Sequence, residues 1–316
     1  MAKTKEISRR IKSVSSTKKI TKAMEMVAAA KMRKAIEAVL KTRTYANLSW
    51  ETVLRLAEIS KSKNENLHPL LSPRTNISKV AIILIASNRG MCGAYNSAVI
   101  TKAKESVTQH PIPTDFILSG KKGTIIRNQD YEIAAEFEKS DILTDAREIY
   151  PLVKMVLDDY LSGKYDKILV AYTDFISAAK QVPRVKQLLP IEIDKIDEYL
   201  GVISEESKVG VTSEFIASKQ EKHLRTGDYV YEYTFEPSAP EVLDKMIPRL
   251  LEIQLYQAFL EANASEHSAS MSAMHQATEA ANDMVNELTL FYNKVRQAGI
   301  TAEIAEISAG ANALAE

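Results

Sequence analysis

The sequence has a single cysteine, Cys92, among its 316 residues. One cysteine cannot form an intramolecular disulfide, so a disulfide-stapled scaffold is excluded and a reducing compartment is expected. No apolar run reaches the roughly 18 residues of a transmembrane helix, and the N-terminus lacks the apolar core of a signal peptide. The formal net charge is zero, which argues against a general attraction to nucleic acid or to an acidic membrane. A cytosolic chain is expected.

Patterns that indicate catalysis are also missing. Cys92 has no histidine near it in sequence that could activate it as a nucleophile. No paired-carboxylate arrangement is present, and the histidines are scattered without metal-ligand spacing: His68, His110, His223, His267 and His275. We therefore expect no catalytic residue, no cofactor and no metal in this chain.

Proline and glycine are scarce in the last quarter of the chain, which predicts one long helix over 238–316. After Pro248 there is no proline, and the only glycines are Gly299 and Gly310. Apolar residues recur there in alternating steps of three and four, which is the seam pattern of a coiled coil. Its members are Leu250, Ile253, Leu260, Ala264, Met271, Met274, Ala281, Val285, Leu288, Tyr292, Val295 and Ala302, with misses at Gln257, His267, Thr278 and Gly299.

The N-terminal stretch over 1–62 predicts the antiparallel partner helix, because it has neither glycine nor proline between Lys3 and Lys61. Its 3–4 repeat consists of Ile7, Ile11, Val14, Ala28, Met32, Ala35 and Val39; Lys18, Thr21 and Glu25 interrupt it, while Ile20, Met24 and Val27 start a shifted stripe. We expect the apolar face to turn partway along. About thirteen Lys and Arg against three Glu in residues 1–43 indicate an anionic partner or a solvated face.

The middle of the chain, 77–205, predicts an inserted Rossmann-like α/β domain. Continuous apolar runs typical of buried strands cover Val80–Ala86, Asp115–Gly120 and Asp166–Tyr172. Helical stretches between them are expected at Ala94–Gln109, Gly120–Asn128 and Asp145–Ser162, and an extended edge segment at Arg184–Ile193. Residues 206–237 are expected to form a mobile loop and a foot strand. The fold class is thus α/β with a long antiparallel coiled coil of the two terminal helices.

A glycine-rich turn, SNRGMCGAYN (Ser87–Asn96), follows the first strand. A nucleotide site is one interpretation, but Gly90 and Gly93 do not make a G-x-G-x-x-G motif and no phosphate-loop lysine follows. A tight turn is favoured. Two alternatives stay open: a nucleotide-binding α/β protein, which predicts that the chain binds ATP or NAD, and a basic coiled-coil nucleic-acid binder, which predicts a steep salt dependence of DNA affinity.

Three segments together resemble the gamma subunit of the F-type rotary ATP synthase. They are ITKAMEMVAAAKMRKA (Ile20–Ala35), the glycine-rich turn, and LTLFYNKVRQAGITAEIAEI (Leu288–Ile307). The resemblance implies a non-catalytic central-stalk rotor, a coiled coil standing inside three alpha and three beta subunits. It implies a foot on the epsilon subunit and the c-ring at the cytoplasmic face of the bacterial plasma (inner) membrane. Proton flow would turn this shaft, and ATP would be made at the beta subunits.

The resemblance also implies contact positions on matching motifs: Arg296, Gln297 and Thr301 for the upper contact with beta, Met24 for the neck near the lever region of beta, and Tyr229, Tyr231 and Glu232 for the foot on epsilon and the c-ring. Two departures accompany it. Ser270 stands where the family often has arginine, and Ala309–Gly310 replaces a double glycine. No insertion with a cysteine pair is present, so the thiol switch of chloroplast members is not expected.

Overall fold

The structure, a computed structural model, describes residues 2–62, 68–72, 74, 76–129, 131–191 and 239–315. It divides into two compact units: unit 1 contains Met1–Ala29 and Ser270–Glu316, and unit 2 contains Ala30–Ala269. Two long helices, α1 (Ala2–Ser62) and the C-terminal α4 (Ala239–Ala315), contribute to both. They are the two helices predicted from the sequence. The predicted domain boundaries stay predictions, and the predicted loop and foot strand over 206–237 lie outside the described residues.

Unit 2 is built around a five-stranded sheet in the order β3-β2-β1-β4-β5. Its strands are β1 (Val80–Ile85), β2 (Thr114–Ser119), β3 (Glu132–Phe137), β4 (Lys167–Phe175) and β5 (Gln181–Leu189). The first four are parallel, and β5 runs antiparallel to β4 at one edge. The three apolar runs are β1, β2 and β4, which lie next to each other at the centre of the sheet, where continuous hydrophobicity is needed. The predicted fold class is confirmed.

Short helices connect the strands. They are α2 (Tyr95–Gln109), a 3₁₀ helix over Lys121–Gln129, and a 3₁₀ turn over Ala146–Ile149 that leads into α3 (Tyr150–Leu161). Gly120 starts the connection after β2 with φ of 98°, and a Cβ at this position would lie 2.2 Å from the carbonyl oxygen of Ala86. Only glycine fits there, because both the backbone conformation and the space exclude a side chain.

Alternate residues of β1 face two different cores. Val80, Ile82 and Leu84 pack in a cluster that includes α2 residues such as Val99. The residues between them, Ala81, Ile83 and Ile85, belong to a larger cluster with residues of α3 and α4. Helix α4 therefore covers one face of the sheet, and α2 covers the other. Among the described residues no helix is long and apolar enough to cross a membrane.

Candidate partner-contact sites

In unit 1, α1 and α4 pair as an antiparallel coiled coil. Lys18 donates to Asn282 at 2.7 Å, Thr278 donates to the Thr21 hydroxyl at 2.8 Å, and His275 Nδ1 lies 3.4 Å from the Glu25 carboxylate. The two residue numbers of each contacting pair add up to 299 or 300. A residue of α1 is therefore level with the residue of α4 whose number brings this sum to 299 or 300. These three contacts fix the register of the two helices.

The prediction that the apolar face of α1 turns partway along was wrong. Lys18, Thr21 and Glu25 continue the seam with the same steps of three and four and are half-buried, while Ile20 and Val27 of the supposed shifted stripe are 60% and 56% exposed. The seam tolerates these polar side chains because each has a polar partner on α4. Lys22, together with His275, lowers the pKa of Glu25, which keeps this carboxylate ionised.

The polar misses in the repeat of α4 are seam positions too. Gln257 and His267 in unit 2 and Thr278 in unit 1 are buried. Gln257 accepts from Thr42 of α1 at 3.0 Å, and the Nε2 atom of His267 lies 2.9 Å from the backbone oxygen of Asp141. A repeat defined by hydrophobic residues alone is interrupted at these three positions, whereas the spacing of three and four residues assigns them correctly to the seam. Gly299, the remaining miss, is exposed, and a Cβ at this position would have no other atom within 4 Å.

The predicted neck position, Met24, is half-buried. Ile20 and Val27 lie about one turn before and after it, and together with Ala23 these exposed residues form an apolar stripe that faces away from the seam. Lys19 and Lys22 lie along one side of the stripe and are also exposed. We call these residues the neck surface. An apolar stripe beside ammonium groups is suited to a partner that carries both apolar and acidic side chains.

Beyond the paired part, α4 continues alone. By the register of the coiled coil, Ala298 is level with Ala2, where α1 begins. Residues 296–309 are all exposed, and the last half-buried seam residue is Val295. Three isoleucines in this segment, Ile300, Ile304 and Ile307, are 48%, 60% and 72% exposed. The segment from Ala298 onward, here called the overhang, presents large apolar side chains without a partner helix from the described part of the chain.

The predicted upper-contact residues lie at the start of this exposed part. Arg296, Gln297 and Thr301 are all exposed on α4. Thr301 donates to the backbone oxygen of Gln297 at 3.0 Å, whereas the side chains of Arg296 and Gln297 make no hydrogen bond or ion pair within the described ranges. Their donors are available to another molecule. The predicted foot residues Tyr229, Tyr231 and Glu232 lie outside the described residues.

The glycine-rich turn after β1 is held by hydrogen bonds between its own residues and does not surround an open ligand site. Ser87 donates to the Arg89 backbone and Asn96 accepts from the Ser87 amide, while Gly93 has φ of 56°. Burial raises the pKa of the Cys92 thiol, which keeps it protonated and unreactive. Sheets of this order bind ligands outside the carboxyl ends of their central strands.

Helix α4 already lies at these carboxyl ends. Tyr95, the first residue of α2, donates to the backbone oxygen of Ala262 at 3.2 Å, and Ser265 donates to Thr173 of β4 at 3.1 Å. The geometry therefore supports a structural turn and not a nucleotide site. No group of His, Cys, Asp and Glu side chains suited to a metal ion occurs in the described part of the chain.

Ser270 is half-buried on α4.

Comparison with known proteins gives full-length relatives. A family profile described as ATP synthase matches residues 3–314. A protein of Dehalococcoides mccartyi named ATP synthase gamma chain is 37% identical over 316 residues, which is 100% of both chains. The protein of the same name from Symbiobacterium thermophilum is 39% identical and covers 98% of both chains. That from Legionella pneumophila is 35% identical, with 99% of this chain and 100% of the relative covered.

Solved structures with low sequence identity share the fold. A chain in the mitochondrial ATP synthase of Euglena gracilis, determined with F1 and the c-ring, matches with a TM-score of 0.61 and 17% identity over 99% of this chain and 95% of that one. A chain from the central stalk and c-ring of the Tetrahymena thermophila enzyme matches with a TM-score of 0.57 and 20% identity, covering 82% and 99%. At these identities the likeness establishes the architecture: two long helices joined to a mostly parallel sheet.

Proposed function

The chain belongs to the ATP synthase gamma-chain family, and on this premise we propose that it is the central-stalk rotor of an F-type ATP synthase. As a member of this family it is a non-catalytic stalk subunit. Proton flow through a membrane ring would turn it, and its rotation would drive ATP synthesis or hydrolysis at other subunits. We also propose that it associates with an F1 sector and with a rotor ring, because the Euglena gracilis structure contains F1 and the c-ring and the Tetrahymena thermophila structure contains the central stalk and the c-ring.

The overhang is the observation that supports this function best. An isolated helix with isoleucines exposed at 48–72% leaves a large apolar surface in water, and such surfaces mark binding sites. In a rotor of this family the burial would come from a sleeve formed by three alpha and three beta subunits. Arg296 and Gln297, whose donors are unused in the described chain, would contact beta at the entrance to this sleeve, together with Thr301.

The neck surface supports a second contact. Its lysines and apolar stripe around Met24 match an acidic, partly apolar lever of beta. At the other end, Tyr229, Tyr231 and Glu232 would rest on the epsilon subunit and the c-ring. With bacterial relatives of full length, we place the subunit peripherally at the cytoplasmic face of the plasma (inner) membrane, where contact with the bilayer would occur only through the c-ring.

Site-directed photocrosslinking in the assembled complex tests the proposal. Cys92 is replaced by serine, and one cysteine that carries a photoreactive maleimide is introduced at Ile304 of the overhang or at Lys102, an exposed residue of α2. The overhang cysteine is expected to crosslink to alpha or beta and to stop ATP hydrolysis, because a crosslinked rotor cannot turn. The Lys102 cysteine is the matched control and should not reach alpha or beta. An overhang crosslink that leaves hydrolysis at the uncrosslinked rate would contradict rotation.

A further inference from the structure

The short segment Lys139–Asp141, which follows β3, joins three separate elements of unit 2. Its three consecutive backbone carbonyls each accept a hydrogen bond from a side chain. Asn88, in the turn after β1, donates to the first at 2.6 Å; Asn263 of α4 donates to the second at 3.1 Å; and His267 of α4 lies 2.9 Å from the third. Burial lowers the pKa of His267, so the ring is neutral and its Nε2 atom carries the donated proton, since a carbonyl only accepts.

The side chains of the same segment add two ion pairs. The Lys139 ammonium lies 2.5 Å from the Glu266 carboxylate of α4, and the Lys139 side chain is only 1% exposed. It also lies 5.7 Å from the centre of the Tyr95 ring. Asp141 pairs with Lys31 of α1 at 2.9 Å, and this lysine lowers the pKa of Asp141. Both long helices are thus tied to the sheet through one three-residue segment.

These contacts differ in kind from the apolar core around them. Leucine, isoleucine and valine contacts between the sheet and α4 are non-directional, so they resist separation of the layers more than sliding or rotation. A buried ion pair gains little net stability, because desolvation of both charges offsets their attraction, but it holds only in one geometry. The three hydrogen bonds and two ion pairs of this segment therefore restrict the orientation of the sheet around the two helices.

We propose that Lys139 is a positioning residue that fixes the orientation of the α/β sheet relative to the parts of α1 and α4 that lie in unit 2. Its ammonium is the only group of the segment that joins α4 through a buried charge. The consequence for rotation rests on the proposed function: a shaft turned from its foot needs a fixed angle between sheet and helices. The positioning itself can be measured on the isolated full chain, so failure of one is distinguishable from failure of the other.

Spin-label distance measurements test this inference. In a Cys92→Ser background, labels are attached to cysteines at Lys34 of α1 and Lys102 of α2, which are both exposed in unit 2. The double variant Lys139→Met/Glu266→Gln removes both charges while it keeps the volume, so its thermal stability should stay close to that of the parent. We expect its distance distribution to widen or to gain a second population.

Two further variants make the result decisive. Lys164→Met removes a partly exposed ion pair with Asp159 in the same unit and should leave the distribution unchanged. Lys139→Met alone leaves Glu266 buried without its partner and should lower the unfolding temperature as well as widen the distribution. A double variant with the narrow distribution of the parent would overturn the proposal, because packing alone would then fix the orientation. Equal widening in Lys164→Met would overturn it too.

Discussion

Two aspartate substitutions on the same helix, Leu288→Asp and Ile304→Asp, should have opposite consequences for the isolated chain and for the complex. Leu288 is a half-buried seam residue, level with Ile11 and Lys12 of α1 by the register, whereas Ile304 lies in the overhang and is 60% exposed. The same chemical change thus removes a contact within the chain in one case. In the other it removes an apolar group that only a partner could bury.

The magnitudes follow from burial. Full burial of a leucine side chain is worth about 1.5–3 kcal/mol, so a half-buried Leu288 contributes roughly half of this. Partial desolvation of the new carboxylate adds about 1 kcal/mol, which gives a loss of about 2–2.5 kcal/mol for Leu288→Asp. For Ile304→Asp the expected change in the isolated chain stays within about 0.5 kcal/mol, because the site is exposed. In the complex, loss of a buried isoleucine weakens association about ten- to hundredfold.

Denaturant unfolding of the isolated chain and titration of the alpha–beta assembly measure the two effects. Hydrogen exchange gives an independent view of the wild type: amides from Ala298 onward should exchange faster than those around Met274 in the isolated chain and become protected on assembly. The variant Ile304→Leu is the matched control, since it keeps an apolar side chain and should assemble normally.

Either of two results would refute this reasoning. If Ile304→Asp destabilises the isolated chain as much as Leu288→Asp, the overhang packs on its own chain. If Ile304→Asp assembles with wild-type affinity, the apolar end of α4 is not buried by a partner, and the main support for the proposed shaft is lost.

Three further predictions concern single groups. Dithiol reductants should not change the ATPase activity of the complex, whether it contains the wild-type chain or the Cys92→Ser variant. A reductant response that the wild type shows and the variant lacks would contradict this. Replacing Arg296 and Gln297 by alanine should lower turnover or coupling without changing the circular dichroism of the isolated chain; full coupled synthesis would rule out the upper contact. The Ser78 hydroxyl, the Arg74 guanidinium and backbone donors lower the pKa of Asp166 strongly. Its contribution to stability is therefore complete above about pH 4 and lost on acidification, so Asp166→Asn should destabilise the chain at pH 7 and flatten its acid unfolding curve, which a pH series of melting temperatures checks.

The sequence predicted the parts of the fold where one physical requirement dominates. Continuous apolar runs identified β1, β2 and β4, because central parallel strands are buried on both faces. It did not predict β3, whose sequence EIAAEF alternates between exposed and half-buried residues at the sheet edge and carries two glutamates. A short edge strand needs little hydrophobicity, so its signal is weak. The helix predicted over Gly120–Asn128 is a 3₁₀ helix, a distinction that propensity cannot make.

The contact sites were predicted only as far as spacing and resemblance allow. Steps of three and four placed Thr278 on the seam, but hydrophobicity misassigned Lys18, Thr21 and Glu25, since their partners lie 250 or more residues away in sequence. The segment Lys139–Asp141 went unnoticed for the same reason. In the sequence alone Lys139 cannot be distinguished from a surface lysine. Only its burial next to Glu266 in the folded chain indicates the proposed positioning role. Arg296, Gln297 and Met24 stay predictions, as nothing in one chain displays a partner.

The polar seam of α1 also matters before the protein is complete. Lys18 and its partner Asn282 are 264 residues apart, and a ribosome adds about 5–20 residues per second, so the seam of α1 waits about 13–50 seconds for its partner helix. During this interval a continuous apolar seam would expose an uninterrupted hydrophobic surface to other nascent chains. Lys18, Thr21 and Glu25 divide the stripe into two short pieces. The residues that interrupt the hydrophobic repeat are therefore expected to limit premature association of the emerging helix, at little cost to the finished pair, in which each has a polar partner.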